Sequence, residues 1–333
     1  MSILQDIRSG LRTLGRSPVF TVVAILSLGL GIGAGISIFS LANAILFRSL
    51  LVPKPHELRR IMWSGAEWEP LMDEIQTGLP DFAPDPSSRL VGNSVSLTGF
   101  RALREQCATQ ADVFGFSDTD GGTAQARHDA FIPRSLMVSG NFFSGLGVRP
   151  LLGRLLNMAD ERAGAAPVVV ISYRCWEQQF DLAPAVIGQS VALNGFRFTV
   201  AGVLPREFPG VLPGTGTDFY ASLSAQPQLL PRMAPDSWSV RLMARLKPGV
   251  SEAQFRAALG VAFMREAATV KMKDPKVWLT AGRTGAGGRL QPGLANDDPA
   301  RYGGPLWLLL GLVGLVLLVT CANLAGLMLA RGT

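Results

Sequence analysis

The sequence VFTVVAILSLGLGIGAGISIFSLANAILF occupies residues 19–47 and lies inside a longer stretch, 17–47, that contains no charged side chain. This stretch is longer than the roughly 20 apolar residues that cross the hydrocarbon core of a bilayer. A second uncharged stretch, 302–330, contains PLWLLLGLVGLVLLVTCANLAGLML. Neither stretch has the charged face that a buried helix of a soluble protein would keep. We therefore predict transmembrane helices at 17–47 and 302–330.

A cleaved secretory signal is the alternative for the first stretch, because Ala42-Asn43-Ala44 resembles a small-residue cleavage site. The apolar part of a signal peptide has about 7 to 15 residues and this one is about twice as long, so an uncleaved anchor is favoured. Two spans place both ends of the chain on one side of the membrane. Basic residues flank the first span on both sides, so the positive-inside rule leaves the orientation open.

The segment before the first span, residues 1–16, is predicted to form an amphipathic interfacial helix. At about 100° per residue its apolar side chains form one stripe. They are Ile3, Leu4, Ile7, Leu11 and Leu14, with Arg8, Arg12 and Arg16 along the flank. Such a helix buries its apolar face at the membrane surface while the arginines contact anionic lipid. A solvated tail is the alternative.

Small residues recur within both predicted spans at a spacing that lets helices approach closely in lipid. In the first span Gly29 and Gly33 form one GxxxG pair, and Gly31 and Gly35 form another. The second span has Ala322 and Gly326 at the same spacing, with Asn323 as a polar group that needs a partner within a helix bundle. Two helices do not satisfy all these positions. We expect neighbouring helices from a dimer or from sequence outside this chain.

The 333-residue chain has a net charge of +6, but its central region is nearly balanced. Residues 48–301 carry 27 basic and 24 acidic side chains, with no basic stripe that contains interleaved aromatic residues. This pattern argues against a nucleic-acid partner. The same region begins with an irregular, proline-rich segment over 55–90. A strand is predicted over 90–97, followed by a helix over 98–115 whose apolar face contains Phe100, Leu103, Cys107 and Ala111.

Two further patterns indicate the rest of the fold. The segment 167–173, PVVVISY, is typical of a buried strand, and 189–204 is predicted to form a hairpin about Asn194-Gly195. Residues 239–270 read as strand, turn and helix, with Ser251 and Gln254 as a capping box, and a strand near 277–284 completes a βαβ unit. A Gly- and Pro-rich linker follows over 285–305.

This order predicts a large α+β domain over 48–301 with a subdomain inserted into it. One subdomain would combine 55–130 with 237–290 and contain the βαβ unit, and the inserted hairpin-rich subdomain would occupy 131–236. The aromatic residues Phe142, Phe143 and Trp176 are expected to pack in the core.

No set of residues in the sequence indicates catalysis, a cofactor or a metal site. There is no Walker GxxxxGK[ST] or GxSxG motif, and His56-Glu57 lacks the second histidine of a zincin, so both residues are interpreted as solvated surface. Asp118-x-Asp120-Gly121 lacks the later ligands of a calcium loop and is interpreted as a turn. Cys107 and Cys175 could form a disulfide or remain two buried thiols, and the sequence does not decide between them.

Five segments in this order resemble the MacB/FtsX-like permeases of ABC transporters, in particular the stand-alone type whose outer region is called the MacB-like periplasmic core domain. They are LRTLGRSPVFTVVAILSLGLGIGAGISIFSLANAILFRSL (11–50), SGNFFSGLGVRPLLGR (139–154), VVVISYRCWEQQF (168–180), VIGQSVALNGFRFTVAGVLP (186–205) and LLVTCANLAGLMLARG (317–332).

The resemblance implies a two-part periplasmic domain, a porter-like subdomain with an insertion, held outside the bacterial inner membrane by the two spans. It places 1–16 in the cytoplasm and implies a separate cytoplasmic ATPase, a second permease copy or half, membrane lipid and a periplasmic adaptor as partners. Such permeases continue through a basic segment and two more spans, so 331–333 is expected to be a truncated cytoplasmic end and the chain an N-terminal half. The resemblance does not identify the cargo.

Three functions remain as hypotheses. The first is a permease subunit that couples ATP binding to movement of the periplasmic domain, for export or mechanotransmission. The second is a membrane-anchored extracytoplasmic module that binds or senses a ligand without transport. The third is a membrane-tethered hydrolase, which is the least favoured because no nucleophile, base and orienting group can be named.

Overall fold

The computed structural model describes most of the chain between residues 52 and 281, with gaps, and a few isolated positions near the two ends of the chain. The described ranges are 52–66, 82–84, 90–119, 122–126, 130–208, 210–211, 216–231, 233 and 237–281. The isolated positions, all helical, are Val22, Gly29, Ile32, Gly33, Ile36, Leu308, Gly311, Leu312, Gly314, Leu315, Leu318 and Cys321. The chain divides into two compact units, 1–47 with 298–333 and 48–297. Among the described positions, none belongs to a helix of the length and apolarity that crossing a membrane requires.

The described part of the second unit contains fifteen strands and five α-helices. The strands are β1 (Leu58–Ala66), β2 (Phe82–Pro84), β3 (Leu90–Gly92), β4 (Ser94–Val95), β5 (Ala111–Thr119), β6 (Ala124–Gln125), β7 (Ala130–Phe131), β8 (Ser135–Val138), β9 (Leu152–Gly153), β10 (Val168–Ile171), β11 (Ser190–Leu193), β12 (Phe196–Val203), β13 (Phe219–Ser222), β14 (Val240–Leu246) and β15 (Lys273–Ala281). The helices are α1 (Leu97–Gln106), α2 (Phe142–Leu146), α3 (Tyr173–Phe180), α4 (Gln226–Leu229) and α5 (Glu252–Thr269).

The strands form a single mixed sheet. Its main path runs in the order β2, β3, β1, β14, β5, β8, β13, β10, β12, β11, β6 and β7, while β15 pairs with β1, β4 with β14 and β9 with β12. The pairs β10–β12 and β8–β13 are parallel, whereas the other pairs are antiparallel. The α+β prediction is therefore realised as a mixed sheet with helices packed on it.

The predicted βαβ unit is present as β14, α5 and β15. Both strands pair antiparallel with β1, which lies between them, so the unit is a split βαβ. The Ser251 hydroxyl accepts from the Gln254 N–H, and the Gln254 side chain accepts from the Ser251 N–H, which confirms the predicted capping box. The last strand begins at Lys273, four residues before the predicted start.

The helix predicted over 98–115 is shorter than expected. It ends at Gln106, and Ala111–Thr119 forms the central strand β5, which pairs with both β14 and β8. The predicted apolar positions are all buried, although Ala111 lies in the strand. Ala111 continues the helical spacing of apolar residues, but the Val113, Phe114 and Phe116 side chains that follow are β-branched or aromatic and favour a strand buried on both faces.

The hairpin prediction is confirmed in its position and its turn. Strands β11 and β12 pair antiparallel from Ser190↔Thr199 to Leu193↔Phe196. Asn194 and Gly195 both have positive φ, 50° and 81°, as a type I′ turn requires. The Asn194 side chain also accepts from the Thr123 N–H and donates to the Leu229 carbonyl, both at 3.0 Å, so the turn is held to two other segments.

Apolar side chains form two clusters, and strand β10 contributes to both. Val169 and Ile171 belong to the cluster that includes residues of α1, α3 and α5, whereas Val170 belongs to the cluster that includes α2. Alternate side chains of a strand point to opposite faces, so β10 is buried on both sides of the sheet, as predicted. Phe142, Phe143 and Trp176 are buried, which confirms their assignment to the core.

The predicted division of this unit into 55–130 with 237–290 and an inserted 131–236 remains a prediction. The sheet continues across that division, because β5 pairs with β8 from Phe116↔Val138 to Thr119↔Ser135.

Candidate functional site

The predicted helix-packing residues fall mostly outside the described part of the chain. Gly29 and Gly33 are described; both are helical and exposed, and a Cβ added at either would have nothing within 4 Å among the described atoms. Gly31, Gly35, Ala322, Asn323 and Gly326, as well as Arg8, Arg12 and Arg16, lie outside the described residues. The association face and the interfacial arginines therefore remain predictions.

In the described part of the second unit, the first and the last strand are neighbours in the sheet. Strand β1 follows the first uncharged stretch, and β15 is the last described strand before the second. The two pair antiparallel from Arg59↔Ala281 to Ala66↔Lys273, with an irregularity between Ser64 and Ala66. The start of β1 therefore lies beside the end of β15.

A single guanidinium attaches the segment before β1 to the centre of the sheet. Arg245, on β14, has a side chain that is 17% exposed. It donates to the Glu57 carboxylate at 3.0 Å and to the carbonyl oxygens of Gly145 (2.8 Å), Pro53 (3.1 Å), Lys54 (3.2 Å) and Leu146 (3.4 Å). Its planar fork of donors suits such multiple acceptors. We refer to this arrangement as the Arg245 clamp.

Glu57, in the clamp, lies at the surface as predicted, with a side chain that is 35% exposed, but it is held by ion pairs with Lys54 and Arg245. A hydrogen bond with Lys54 lowers the pKa of its carboxyl group, burial opposes this effect, and the hydrogen bond from Arg245 lowers the pKa further. The neighbouring His56 side chain is exposed, as predicted. The carboxylate therefore stays ionised and holds the turn before β1.

A cleft of about 830 Å³ opens beside α1. One wall is the exposed side of α1 from Leu97 to Arg104, the second is the loop 158–163, and the third is the segment 223–233 that contains α4. These three segments are far apart in sequence, and the cleft lies outside every motif considered in the sequence.

A buried ion pair lies in the wall of the cleft. The Glu161 side chain is 4% exposed, and Arg104 donates to its two oxygens at 2.7 and 3.0 Å. The Gly140 N–H donates to the same carboxylate at 2.8 Å, and the guanidinium carbon of Arg104 lies 4.9 Å from the centre of the Phe100 ring. The negative charge of Glu161 is therefore matched within the protein.

Two more carboxylates are fixed in the same manner. Arg154 donates to both oxygens of Asp160, at 2.7 and 2.8 Å, and Arg174 donates to Asp218 at 2.6 Å. Burial raises the pKa of Asp160, but the hydrogen bonds from Arg154 and the Asn157 N–H outweigh it and lower the pKa overall. These ion pairs were not predicted from the sequence. The run Asp160-Glu161 within a short loop was the one local signal.

Both core cysteines are free thiols, which answers the question that the sequence left open. Burial raises the pKa of Cys107 to about 11 and also raises that of Cys175. Both are therefore protonated at neutral pH and are poor nucleophiles.

Two other polar features were interpreted from the sequence alone. Asp118 lies within β5 rather than in a turn, and it accepts from Arg241 at 2.7 Å. Within the described ranges, no group of three or more His, Cys, Asp and Glu side chains is arranged to hold a metal ion.

Comparison with known proteins identifies a family. Residues 21–261 match the family described as the MacB-like periplasmic core domain. A search of curated proteins finds no match.

Three solved structures are similar to this chain. The periplasmic region of MacB from Actinobacillus actinomycetemcomitans is 14% identical, with a TM-score of 0.45 over 66% of this chain and 88% of that one. The extracellular domain of the noncanonic ABC-type transporter YknZ from Gram-positive bacteria is 14% identical, with a TM-score of 0.46 over 66% and 99%. A domain of a putative permease from Porphyromonas gingivalis is 16% identical, with a TM-score of 0.48 over 70% and 93%.

Proposed function

Because the chain belongs to the MacB-like periplasmic core domain family, a component of ABC transporter permeases, we propose that it is a permease subunit that couples ATP binding on a separate cytoplasmic ATPase to movement of its extracytoplasmic domain. Family membership implies a protein of the inner membrane. The permease component of an ABC transporter is not itself an enzyme, and it works with a cytoplasmic ATPase. In the proposal, 17–47 and 302–330 cross the membrane and 1–16 lies at its cytoplasmic surface. The remaining proposed partners are a second permease copy or half, a periplasmic adaptor and membrane lipid.

The observation that carries this proposal is the way the folded domain begins and ends. Among the described strands, β1 and β15 are the nearest in sequence to the two proposed spans, and they pair from Arg59↔Ala281 to Ala66↔Lys273 with one irregularity. The Arg245 clamp joins the segment before β1 to β14 and α2, so a displacement of that segment would reach the middle of the sheet. A tightly packed sheet transmits displacement because its interior has low compressibility.

The test of coupling uses the full-length protein in membranes together with its proposed cytoplasmic ATPase. We expect the two proteins to co-purify, and we expect the ATP turnover of the ATPase to change when the permease is present. A variant with Arg245→Met should keep the association but reduce the change in turnover. An ATPase that neither co-purifies nor responds would contradict the proposal.

The proposed location is tested with a membrane-impermeant maleimide on intact spheroplasts. Ala163 is exposed in the second unit, so Ala163→Cys in a Cys321→Ser background should react from outside. Arg8→Cys in the same background should react only after the membrane is permeabilised. The reverse pattern would contradict an extracytoplasmic domain.

The alternative, an anchored module that binds or senses a ligand without transport, makes a different prediction. Scrambling the glycine spacing over 29–35 should leave its function unchanged, whereas it should impair a subunit whose spans pack against moving neighbours.

A further inference from the structure

We propose that the cleft beside α1 binds an anionic amphiphile, a small molecule with one carboxylate or phosphate headgroup joined to an apolar body. This binding site goes beyond the proposed coupling to an ATPase and does not depend on it. The proposal rests on the charge, the apolar lining and the size of the cleft.

The charge of the cleft is unbalanced. Its lining contains three arginines and one carboxylate, Glu161, and that carboxylate is already held by Arg104 and a backbone N–H. Arg101 is 49% exposed and forms only a long ion pair with Glu161, in which its Nε lies 3.9 Å from the carboxylate, beyond hydrogen-bonding distance. Arg162 is exposed and forms no ion pair with any residue that the structure describes. Two guanidinium groups are thus available to an anion, which arginine binds in a bidentate manner.

An amide side chain adds a further polar group. The Gln226 side chain lines the cleft, and the residue is 6% exposed. Its amide atoms are not among the fully buried side-chain atoms that lack a hydrogen-bond partner. The amide N–H₂ group is a donor that an anion in the cleft can use.

The remainder of the lining is apolar and adaptable. It includes Leu97, Met158, Leu230 and Met233, together with Pro227 and Pro231. Met158 is 46% exposed, although methionine is an apolar residue. Flexible methionines line surfaces that accept apolar groups of varied shape. The apolar body of the ligand would lie against this wall.

The size of the cleft fits a small molecule. Its volume of about 830 Å³ lies within the range of about 300 to 1,000 Å³ that is usual for ligand pockets. Such pockets combine apolar walls with a few polar groups that orient the ligand. Here, the apolar wall and the two available arginines border the same space.

The test is photo-cross-linking on the full chain in nanodiscs. The probes are a C12 fatty acid with a diazirine in its chain, the matching C12 alkyl phosphate and the matching uncharged C12 alcohol. After illumination and proteolysis, mass spectrometry maps the labelled peptides. We expect both anionic probes to label the peptides that contain 97–104 and 223–233, and the alcohol to label them about tenfold less. Stronger labelling by the carboxylate would indicate a fatty-acid type of ligand, and stronger labelling by the phosphate a lipid headgroup.

Paired variants separate this site from general attraction to positive charge. The double variant Arg101→Ala/Arg162→Ala should lose labelling of the cleft about tenfold or more, because it removes two charge-assisted contacts. The matched control is Arg149→Ala/Arg197→Ala, which removes two exposed arginines that do not line the cleft. The charge-conserving Arg101→Lys/Arg162→Lys should retain part of the labelling, because lysine keeps the positive charge but not the bidentate geometry. Circular dichroism checks that each variant is folded.

Three results would overturn the proposal. They are equal labelling of the cleft by the alcohol, equal loss in the matched control, and no label on the cleft peptides with any probe. Competition tests the apolar half of the ligand: unlabelled dodecanoate should displace the fatty-acid probe, and acetate should not. Displacement by acetate at equal concentration would overturn the requirement for an apolar body.

Discussion

At Arg245, one guanidinium binds five acceptors on two segments, 53–57 and 145–146, so this residue should contribute strongly to stability. Hydrogen bonds to a charged group contribute about 1.5 to 3 kcal/mol each when buried, and Arg245→Met removes several while keeping an unbranched side chain. We expect the Tm of the detergent-solubilised full chain to fall by about 5–10 °C. Thermal unfolding is monitored by the fluorescence of the buried Trp63 and Trp238. Arg149→Met, at an exposed position, should change Tm by less than about 2 °C. Equal shifts would contradict the role of the clamp.

The raised pKa of Cys107 predicts an inert thiol. The thiolate is the reactive form, and the pKa rises from about 8.5 in an unfolded chain to about 11 in the fold. At pH 8 we expect iodoacetamide to alkylate Cys107 about 10²-fold more slowly in the native protein than in urea. The folded state retains the proton, so this thiol contributes stability below about pH 8.5, and the contribution is lost as pH rises toward 11. Mass spectrometry of the Cys107 peptide measures the rate, and similar rates in both states would contradict burial.

Two glycines in regular elements, Gly202 and Gly260, allow a direct comparison, because a Cβ would be crowded at the first and would have open space at the second. On β12, a Cβ at Gly202 would overlap the carbonyl oxygen of Arg154, where β9 pairs with this strand. Gly202→Ala should therefore reduce the free energy of unfolding by about 1–3 kcal/mol. In the middle of α5, a Cβ at Gly260 meets nothing within 4 Å among the described atoms, so Gly260→Ala should increase it by about 0.5–1 kcal/mol. Urea unfolding measures both, and changes of the same sign would contradict the packing around these residues.

The elements that sequence predicts well are those whose cause is local. The Asn194-Gly195 turn requires positive φ at two adjacent residues, and the capping box at Ser251 needs two side chains three residues apart, so both could be read from the sequence. The end of α1 at Gln106 could not, because Ala111 continues the helical spacing of apolar residues. Its place in β5 is decided by β14 and β8, which lie elsewhere in the chain.

At the scale of the whole molecule, the predicted span packing leads to a test in membranes. Gly31→Leu and Gly33→Leu should each hold neighbouring helices apart, because leucine fills the space that a close crossing needs. A cysteine at Val22, in a Cys321→Ser background, would report association of the first spans by disulfide cross-linking. We expect the yield to fall severalfold in both glycine variants. Arg8→Ala should leave the yield unchanged and mainly weaken anchoring at the interface. Unchanged cross-linking in the glycine variants would contradict the packing face.

The candidate site could be predicted only in part. The uncharged stretches and the family likeness pointed to a membrane-attached permease domain. The cleft and its buried pair could not be found from sequence, because Arg104 and Glu161 are 57 residues apart and meet only through the fold. Neither residue belongs to a spacing pattern that implies contact, and an exposed arginine such as Arg162 looks like any other until its surroundings are known.

Because Arg59 and Ala281 are paired neighbours in the sheet, the folded domain is suited to exchange between related proteins as a single unit. When both junctions of a domain lie close together, it can be transplanted without changing the separation of the host segments that receive it. Exchange of 52–281 between related permeases should therefore preserve the membrane part of each host. If the cargo preference of a chimera matches that of the donor, selectivity lies in the exchanged domain. If it matches that of the host, selectivity lies in the rest of the protein.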